Sequence, residues 1–249
     1  LLALPETTPG SLYGLLEIFA AVGVAWEQMT GDRAPAHPGQ PRIVAKTPIV
    51  SPLGLRIEPQ VRLKDSNNAD VVIVSDLALA PNGRPTGHWP EESAWMRSQW
   101  ERGAVLCSVC TGSVFLAEAG LLDGLDATTH WAATGLFARY YPLVRLHPER
   151  IICPAGPEHR IVTAGGSGAW SDLALCVIAR LCGAAEGVRI SKTFVLGDRS
   201  DGQMPFAALG KLYGKDARAP ITNLTLFGGF ASTICWPLSA LLAEAFGWR

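Results

Sequence analysis

The sequence predicts an α/β fold: a mostly parallel sheet with helices on both faces. Three observations carry this. Strand-like and helix-like segments alternate through about residues 1–200, the order that builds a parallel sheet. Val71-Val72-Ile73-Val74 is an unbroken β-branched run, as expected of a strand buried on both faces. Ala104-Val105-Leu106-Cys107 reads as the next buried strand, and it leads within a few residues into a helix that begins at Gly112.

The elements follow in order. Leu1–Leu4 reads as the end of a buried strand. Gly10–Met29 places Leu12, Leu15, Leu16, Phe19, Val22 and Trp26 at spacings of three and four, one face of a helix. Thr30–Pro41 is a Gly/Pro-rich loop, Arg42–Ala45 a short strand, and Val71–Val74 the strand already named. Pro81–Pro90 reads as loop. Glu91–Arg102 is a helix ended by Gly103, and Gly112–Ala119 a helix stopped by Gly120. Trp131–Tyr140 is helical up to Pro142. Ile151-Ile152 and Arg160–Thr163 pair as strands around a Pro154–Glu158 turn. Ser171–Leu181 and Ala185–Leu196 are the last two helices, separated by Gly183.

Composition bounds the function classes. The 249 residues are 48% hydrophobic and 17% charged, which excludes a disordered chain. Lys+Arg 21 against Asp+Glu 22 leaves −1, so no general electrostatic attraction to nucleic acid is expected. The six cysteines, Cys107, Cys110, Cys153, Cys176, Cys182 and Cys235, are irregularly spaced. The first residues carry no basic or long apolar leader, so reduced thiols in a cytoplasm are expected. Residues 219–243 lack Asp, Glu, Lys and Arg, but Pro220, Asn223, Gly228, Gly229 and Pro237 interrupt them. A packed or irregular tail is expected there rather than a spanning helix.

Cys110 sits where the Ala104–Cys107 strand gives way to the helix at Gly112, the geometry of a nucleophile elbow. This places sulfur at the carboxyl end of the sheet, where open α/β sheets bind ligands. The helix start would favour the thiolate, backbone N–H groups near Thr111 would receive negative charge, and Gly112 keeps the turn tight. Two other readings stay open: Cys110 as a small core residue, and Cys107-Ser108-Val109-Cys110 as a redox C-x-x-C pair. No second Cys/His pair accompanies it to make a zinc site; neither metal nor cofactor is expected.

The run from Cys110-Thr111-Gly112-Ser113 to Leu122-Asp123-Gly124, closing with Ala127-Thr128-Thr129-His130-Trp131, resembles the ThiJ/PfpI family of class I glutamine-amidotransferase-like domains. It is most similar to the sensor half of AraC-type transcriptional regulators. Thr163–Leu175, Val188–Lys192 and Asp201–Phe206 agree, so the resemblance covers about residues 1–209. It implies a flavodoxin-like three-layer sandwich, commonly dimeric, with Cys110 as the reactive cysteine and His130 beside it. Read without the resemblance, His130 is a loop-capping residue.

Two departures from the family pattern matter. Its enzymes place a carboxylate near the start of the first helix, where this chain aligns Ser11. A hydroxyl can bond a thiol but cannot act as a base near neutral pH. Glu6 and Glu17 are the nearest substitutes, Glu17 on the solvated face. The Gly-Gly that many relatives carry after the strand corresponding to Val71–Val74 is here Ser75-Asp76-Leu77. Its backbone could still donate to an anion; Asp76 would oppose one, or is simply a solvated turn residue. Ser11, Asp76, Leu77, Thr111 and Gly112 are therefore the expected ligand-binding residues. Thr128 and Thr129 read as strand residues with one hydroxyl facing the pocket. Trp131 and Trp170 wall the pocket or pack in the core, and Asp172 caps its helix. Gly165-Gly166-Ser167-Gly168 lacks the spacing of either phosphate-loop motif.

The resulting expectation is the ligand-sensing domain of an AraC-type transcriptional regulator over 1–209, forming a homodimer and followed by an unassigned apolar tail over 210–249. The tail carries Lys211, Lys215, Arg218 and Arg249 against Asp216 and Glu244, too few charges for the phosphate contacts that DNA affinity needs. DNA contact is expected only through a C-terminal domain absent here. The alternatives are a cysteine-dependent small-molecule enzyme, isonitrile-hydratase-like or glyoxalase-like, with Cys110 as nucleophile and His130 as acid–base partner, or a redox-responsive protein whose Cys110 oxidises.

Overall fold

The computed structural model describes residues 1–33, 39–79 and 83–196. The chain divides into the units Leu1–Met204 and Pro205–Arg249, and only the first contains described residues. The expected boundary at 209, the 210–249 tail, Cys235 and the Asp201–Phe206 motif lie outside them, as do parts of the Thr30–Pro41 and Pro81–Pro90 loops.

In chain order the elements are α1 (Pro9–Ala21), α2 (Ala25–Thr30), β1 (Val44–Ala45), β2 (Ile49–Val50), β3 (Arg56–Ile57), β4 (Val61–Arg62), β5 (Val71–Val74) and α3 (Pro90–Glu101). There follow β6 (Val105–Val109), α4 (Gly112–Glu118), β7 (Asp126–Ala127), α5 (Thr134–Tyr140), β8 (Arg145–Leu146), β9 (Ile152–Ala155), β10 (Ile161–Ala164), α6 (Trp170–Cys182) and α7 (Ala184–Thr193). The main sheet runs β5-β6-β10-β9. β6 is parallel to both β5 and β10, and β9 closes the edge antiparallel to β10. Leu2 bridges to Val44 and to Val74, which ties the parallel β1–β4 pair to β5.

Side-chain alternation along the buried strands makes three layers. Val72, Val74, Leu106 and Ile161 join Met96 of α3 and Val114 to Leu116 of α4 in one apolar cluster. Ile73, Val105, Cys107, Val109 and Val162 face the other way, onto Leu15 and Ile18 of α1 and Leu173 and Val177 of α6. Both faces are covered, which is why these strands carry continuous apolar runs rather than a polar face.

Two local expectations change. The single helix over Gly10–Met29 is broken between α1 and α2, where Gly23 has φ 70°. The cause is tertiary: the Gly23 N–H donates to Oε1 of Glu186 on α7 at 2.9 Å, and Glu186 is almost fully buried. The hairpin turn also moves. Pro154 lies inside β9, opposite Val162, where an edge strand tolerates a missing N–H, and the turn falls at Gly156–His159, with Glu158 and His159 both at positive φ.

Candidate functional site

The site is assembled where β5, β6 and β10 end. Strand β6 stops at Val109, and Cys110 takes φ 55° before α4 begins, an uncommon conformation for a residue with a Cβ. Its surroundings hold it there. The Cys110 N–H donates to Ala164 O at 2.7 Å at the end of β10. The hydroxyls of Ser113 and Thr129 both reach the Cys110 carbonyl oxygen, at 2.8 and 3.2 Å. Gly112 allows the start of α4 to touch the end of β5: a Cβ there would lie 2.5 Å from the carbonyl oxygens of both Val74 and Ser75.

Asp76, on the loop after β5, is buried, so its reading as a solvated turn residue is corrected. Bridging of Thr7 to Leu77 brings the start of α1 against this loop. The Thr8 hydroxyl, at the N-cap of α1, makes no capping bond; it donates to Asp76 Oδ2 instead. Ser11 donates to Asp76 Oδ1, and the Ser167 hydroxyl lies 3.3 Å from Oδ2. Hydrogen bonds from three hydroxyls offset the cost of burying a carboxylate. The carboxylate missing from the α1 position is thus present in the site, supplied by a different loop and clasped by the Ser11 that stands in its place.

Ser167 also lies 3.5 Å from Cys110 Sγ. Burial pushes the Cys110 thiol above its ordinary value; hydrogen bonds from Ser167 and the Thr111 N–H pull the other way, and the Asp76 charge adds to the rise. The expectation of a depressed, thiolate-favouring cysteine is therefore corrected: α4 is a short helix, and desolvation outweighs it. The redox pair is not assembled either. Cys107 faces the core between β6 and α6, fully buried, with its thiol pushed far up by desolvation.

Thr111 bridges to the Asp76 loop. It accepts the Leu77 N–H at 2.9 Å and donates to Leu77 O at 2.6 Å. The Leu77 N–H is thus committed, which corrects its expected availability to an anion. His130 lines a cavity of about 430 Å³ together with Thr111, Leu79, Leu136, Arg139 and Tyr140. Its Nδ1 accepts the Ala132 N–H at 3.1 Å, so the loop-capping role is real, and the hydrogen of the neutral ring sits on Nε2. Burial lowers its pKa and the Asp76 charge opposes that. No hydrogen bond joins His130 to Cys110 among the described residues. A larger cavity, about 690 Å³, lies at the amino ends of the strands, lined by Asp70, Val71 and Leu1. It contains none of the elbow residues, so the chemistry points to the smaller one.

The remaining candidates separate. Glu6 accepts from Trp89 Nε1 at 3.1 Å, and Glu17 is exposed, so neither supplies the site. Thr128 and Thr129 lie beyond β7 and not in a strand; Thr128 donates to Arg150 O. Trp170 packs on Gly14 of α1. Asp172 lies in the first turn of α6. Ser167 and Thr8 are the site residues that sequence reasoning missed. The signal for Ser167 was positional: a loop leaving a strand parallel and adjacent to β6 must emerge beside Cys110. Among the described residues no cluster of three or more His, Cys, Asp or Glu could hold a metal, and no helix is long and apolar enough to cross a membrane.

A model of the DJ-1/PfpI family matches residues 29–179. The HTH-type transcriptional regulator CdhR of Pseudomonas aeruginosa is 36% identical over 150 residues, 60% of this chain and 42% of its own length. The isonitrile hydratase of Pseudomonas putida is 33% identical over 141 residues, 55% of this chain and 56% of its own. The chain thus matches about half the length of these curated relatives. The crystal structure of an AraC family transcriptional regulator from Pseudomonas putida superposes with a TM-score of 0.60 at 17% identity, covering 78% of this chain and 96% of that one. That likeness speaks for the flavodoxin-like fold.

Proposed function

Since this chain belongs to the DJ-1/PfpI family, we propose that it serves as the ligand-sensing part of an AraC-type transcriptional regulator, taking a small molecule in the cavity beside Thr111 and His130. The observation that carries this is the state of the elbow. The Cys110 thiol is buried and raised in pKa, and its neighbouring carboxylate is occupied by the hydroxyls of Thr8, Ser11 and Ser167. A carboxylate already accepting from three hydroxyls and a cysteine held as thiol suit binding better than nucleophilic attack. The similarity to CdhR supports the same reading. In this proposal the protein acts in the cytoplasm as a homodimer, and DNA is contacted through a separate domain.

The similarity to isonitrile hydratase favours a second reading, a Cys110-dependent enzyme. Assaying the purified chain with an alkyl isonitrile and with methylglyoxal separates the two. No turnover above that of Cys110→Ser is expected; a catalytic rate that vanishes in Cys110→Ser would replace the sensor reading with the enzymatic one.

A further inference from the structure

Ser167 is the one exposed member of the hydroxyl cluster, and it stands between two groups that compete for it. Its Oγ is 3.3 Å from Asp76 Oδ2 and 3.5 Å from Cys110 Sγ. A serine hydroxyl has one hydrogen and two lone pairs, so it can donate to the carboxylate or to the sulfur, not to both. When Cys110 is a thiol, the hydrogen goes to Asp76, the ionised acceptor, and the S–H donates to Oγ. When Cys110 is a thiolate, both neighbours are anionic acceptors, and Sγ retains Ser167 only by taking its hydrogen away from Asp76.

We propose that Ser167 is a swinging hydroxyl that couples the protonation of Cys110 to the Asp76 carboxylate, with Asp76 holding the cysteine in its thiol form. Ser167 and Asp76 are then positioning residues for the sulfur. The change involves one proton, lost from Sγ to solvent, and a rotation about the Ser167 Cβ–Oγ bond; no other bond forms or breaks. Thr8 and Ser11 hold the two carboxylate oxygens independently of the sulfur, so the variable member of the cluster is Ser167. Ser167 is exposed while the sulfur is buried, so the hydroxyl is open to a partner from solvent that the sulfur is not. A ligand that takes the Ser167 hydrogen bond thereby alters the state of Cys110 without touching it. This inference rests only on the Cys110 cluster being the functional site, and holds whether the ligand is sensed or converted.

The experiment needs no ligand, so its outcome is separate from that of the sensor assay. The full chain is alkylated with iodoacetamide across pH 6 to 10, and modification of the Cys110 peptide is followed by mass spectrometry, which distinguishes it from the other cysteines. Asp76→Asn removes the charge, and its amide can donate to Ser167, sending the hydroxyl hydrogen to sulfur. Alkylation near neutral pH is expected to rise about tenfold, the change in thiolate fraction for a midpoint one unit lower. Ser167→Ala is expected to slow it, and Ser167→Thr, which keeps the hydroxyl, to restore it. In the Ser167→Ala background the effect of Asp76→Asn is expected to shrink. An Asp76→Asn effect of equal size in both backgrounds would reduce Asp76 to a through-space field. A slower Asp76→Asn would make the carboxylate a base for the thiol and overturn the proposal. Thermal melts check folding; should Asp76→Asn not fold, the Ser167→Ala and Ser167→Thr pair decides, identical pH profiles for all three proteins being the result that removes Ser167 from the mechanism.

Discussion

His130 caps its loop with a ring that can titrate. Its Nδ1 accepts the Ala132 N–H, a bond that only the ring lacking a proton at Nδ1 can make. Burial lowers its folded pKa, with the Asp76 charge opposing. A histidine whose folded pKa lies below its unfolded one binds its proton more readily when unfolded. It therefore contributes stability that is present above the unfolded pKa and is lost as pH falls through the folded one. Urea midpoints of the wild type are expected to fall between pH 7 and 5 more steeply than those of His130→Asn, whose side-chain oxygen can accept the same N–H without titrating. Parallel curves would show that the His130 proton does not matter to folding. Cys110 and Thr111 were legible as site residues because a strand, a cysteine and a glycine-led helix are contiguous. The fate of Asp76 was not. A Ser-Asp-Leu after a strand reads as a turn, and its burial is set by Ser11, 65 residues earlier, and Ser167, 91 residues later. No local pattern carries those distances.

At the scale of elements, glycine positions separate space from backbone freedom. Gly112 has an ordinary φ, yet a Cβ there would meet two backbone carbonyl oxygens at 2.5 Å. No rotamer change relieves a clash with backbone, so α4 would have to lift from the end of β5, and with it the Cys110 elbow. Gly112→Ala is expected to cost about 2 kcal/mol, the overpacking penalty exceeding the helix-propensity gain of up to ~1 kcal/mol. Gly10, in the first turn of α1 with open space around its Cβ position, is the control: Gly10→Ala is expected to be neutral or stabilising by a few tenths of a kcal/mol. Urea denaturation of both variants measures this; a Gly112→Ala protein as stable as the wild type would mean that α4 is not seated as described. The elements themselves were legible where periodicity was local, as in β5, α3 and α6. They were less so where a distant group decided. Nothing in the α1 region announces that Glu186 will take the Gly23 N–H and end the helix early. The two-residue strands β1 to β4 are too short for alternation to mark, and pairing with Leu2 and with one another defines them.

At the scale of the whole molecule, the layer order was legible because a parallel sheet covered on both faces leaves mostly apolar central strands, as in Val71–Val74 of β5 and Val105–Cys107 of β6. The charge balance acts at the same scale. With Lys+Arg 21 against Asp+Glu 22 the chain has no net cationic field. Four of its described arginines are engaged locally: Arg145 with Asp126, Arg189 with Glu186, Arg180 on the carbonyls of Glu158 and His159, and Arg160 over the Trp100 ring. Cations committed in this way are poor partners for phosphates, because each would have to give up an existing contact. Binding to DNA driven by counterion release weakens with salt by about 0.9 in log K per log salt for each phosphate neutralised. For this 249-residue chain, fluorescence anisotropy with a labelled random-sequence duplex is expected to show no saturation at 50 mM salt. Saturable binding with a salt slope steeper than about −4, the mark of several phosphate contacts, would mean that the chain itself presents a DNA-reading surface, and that the regulator proposal must place DNA contact within it rather than in a separate domain.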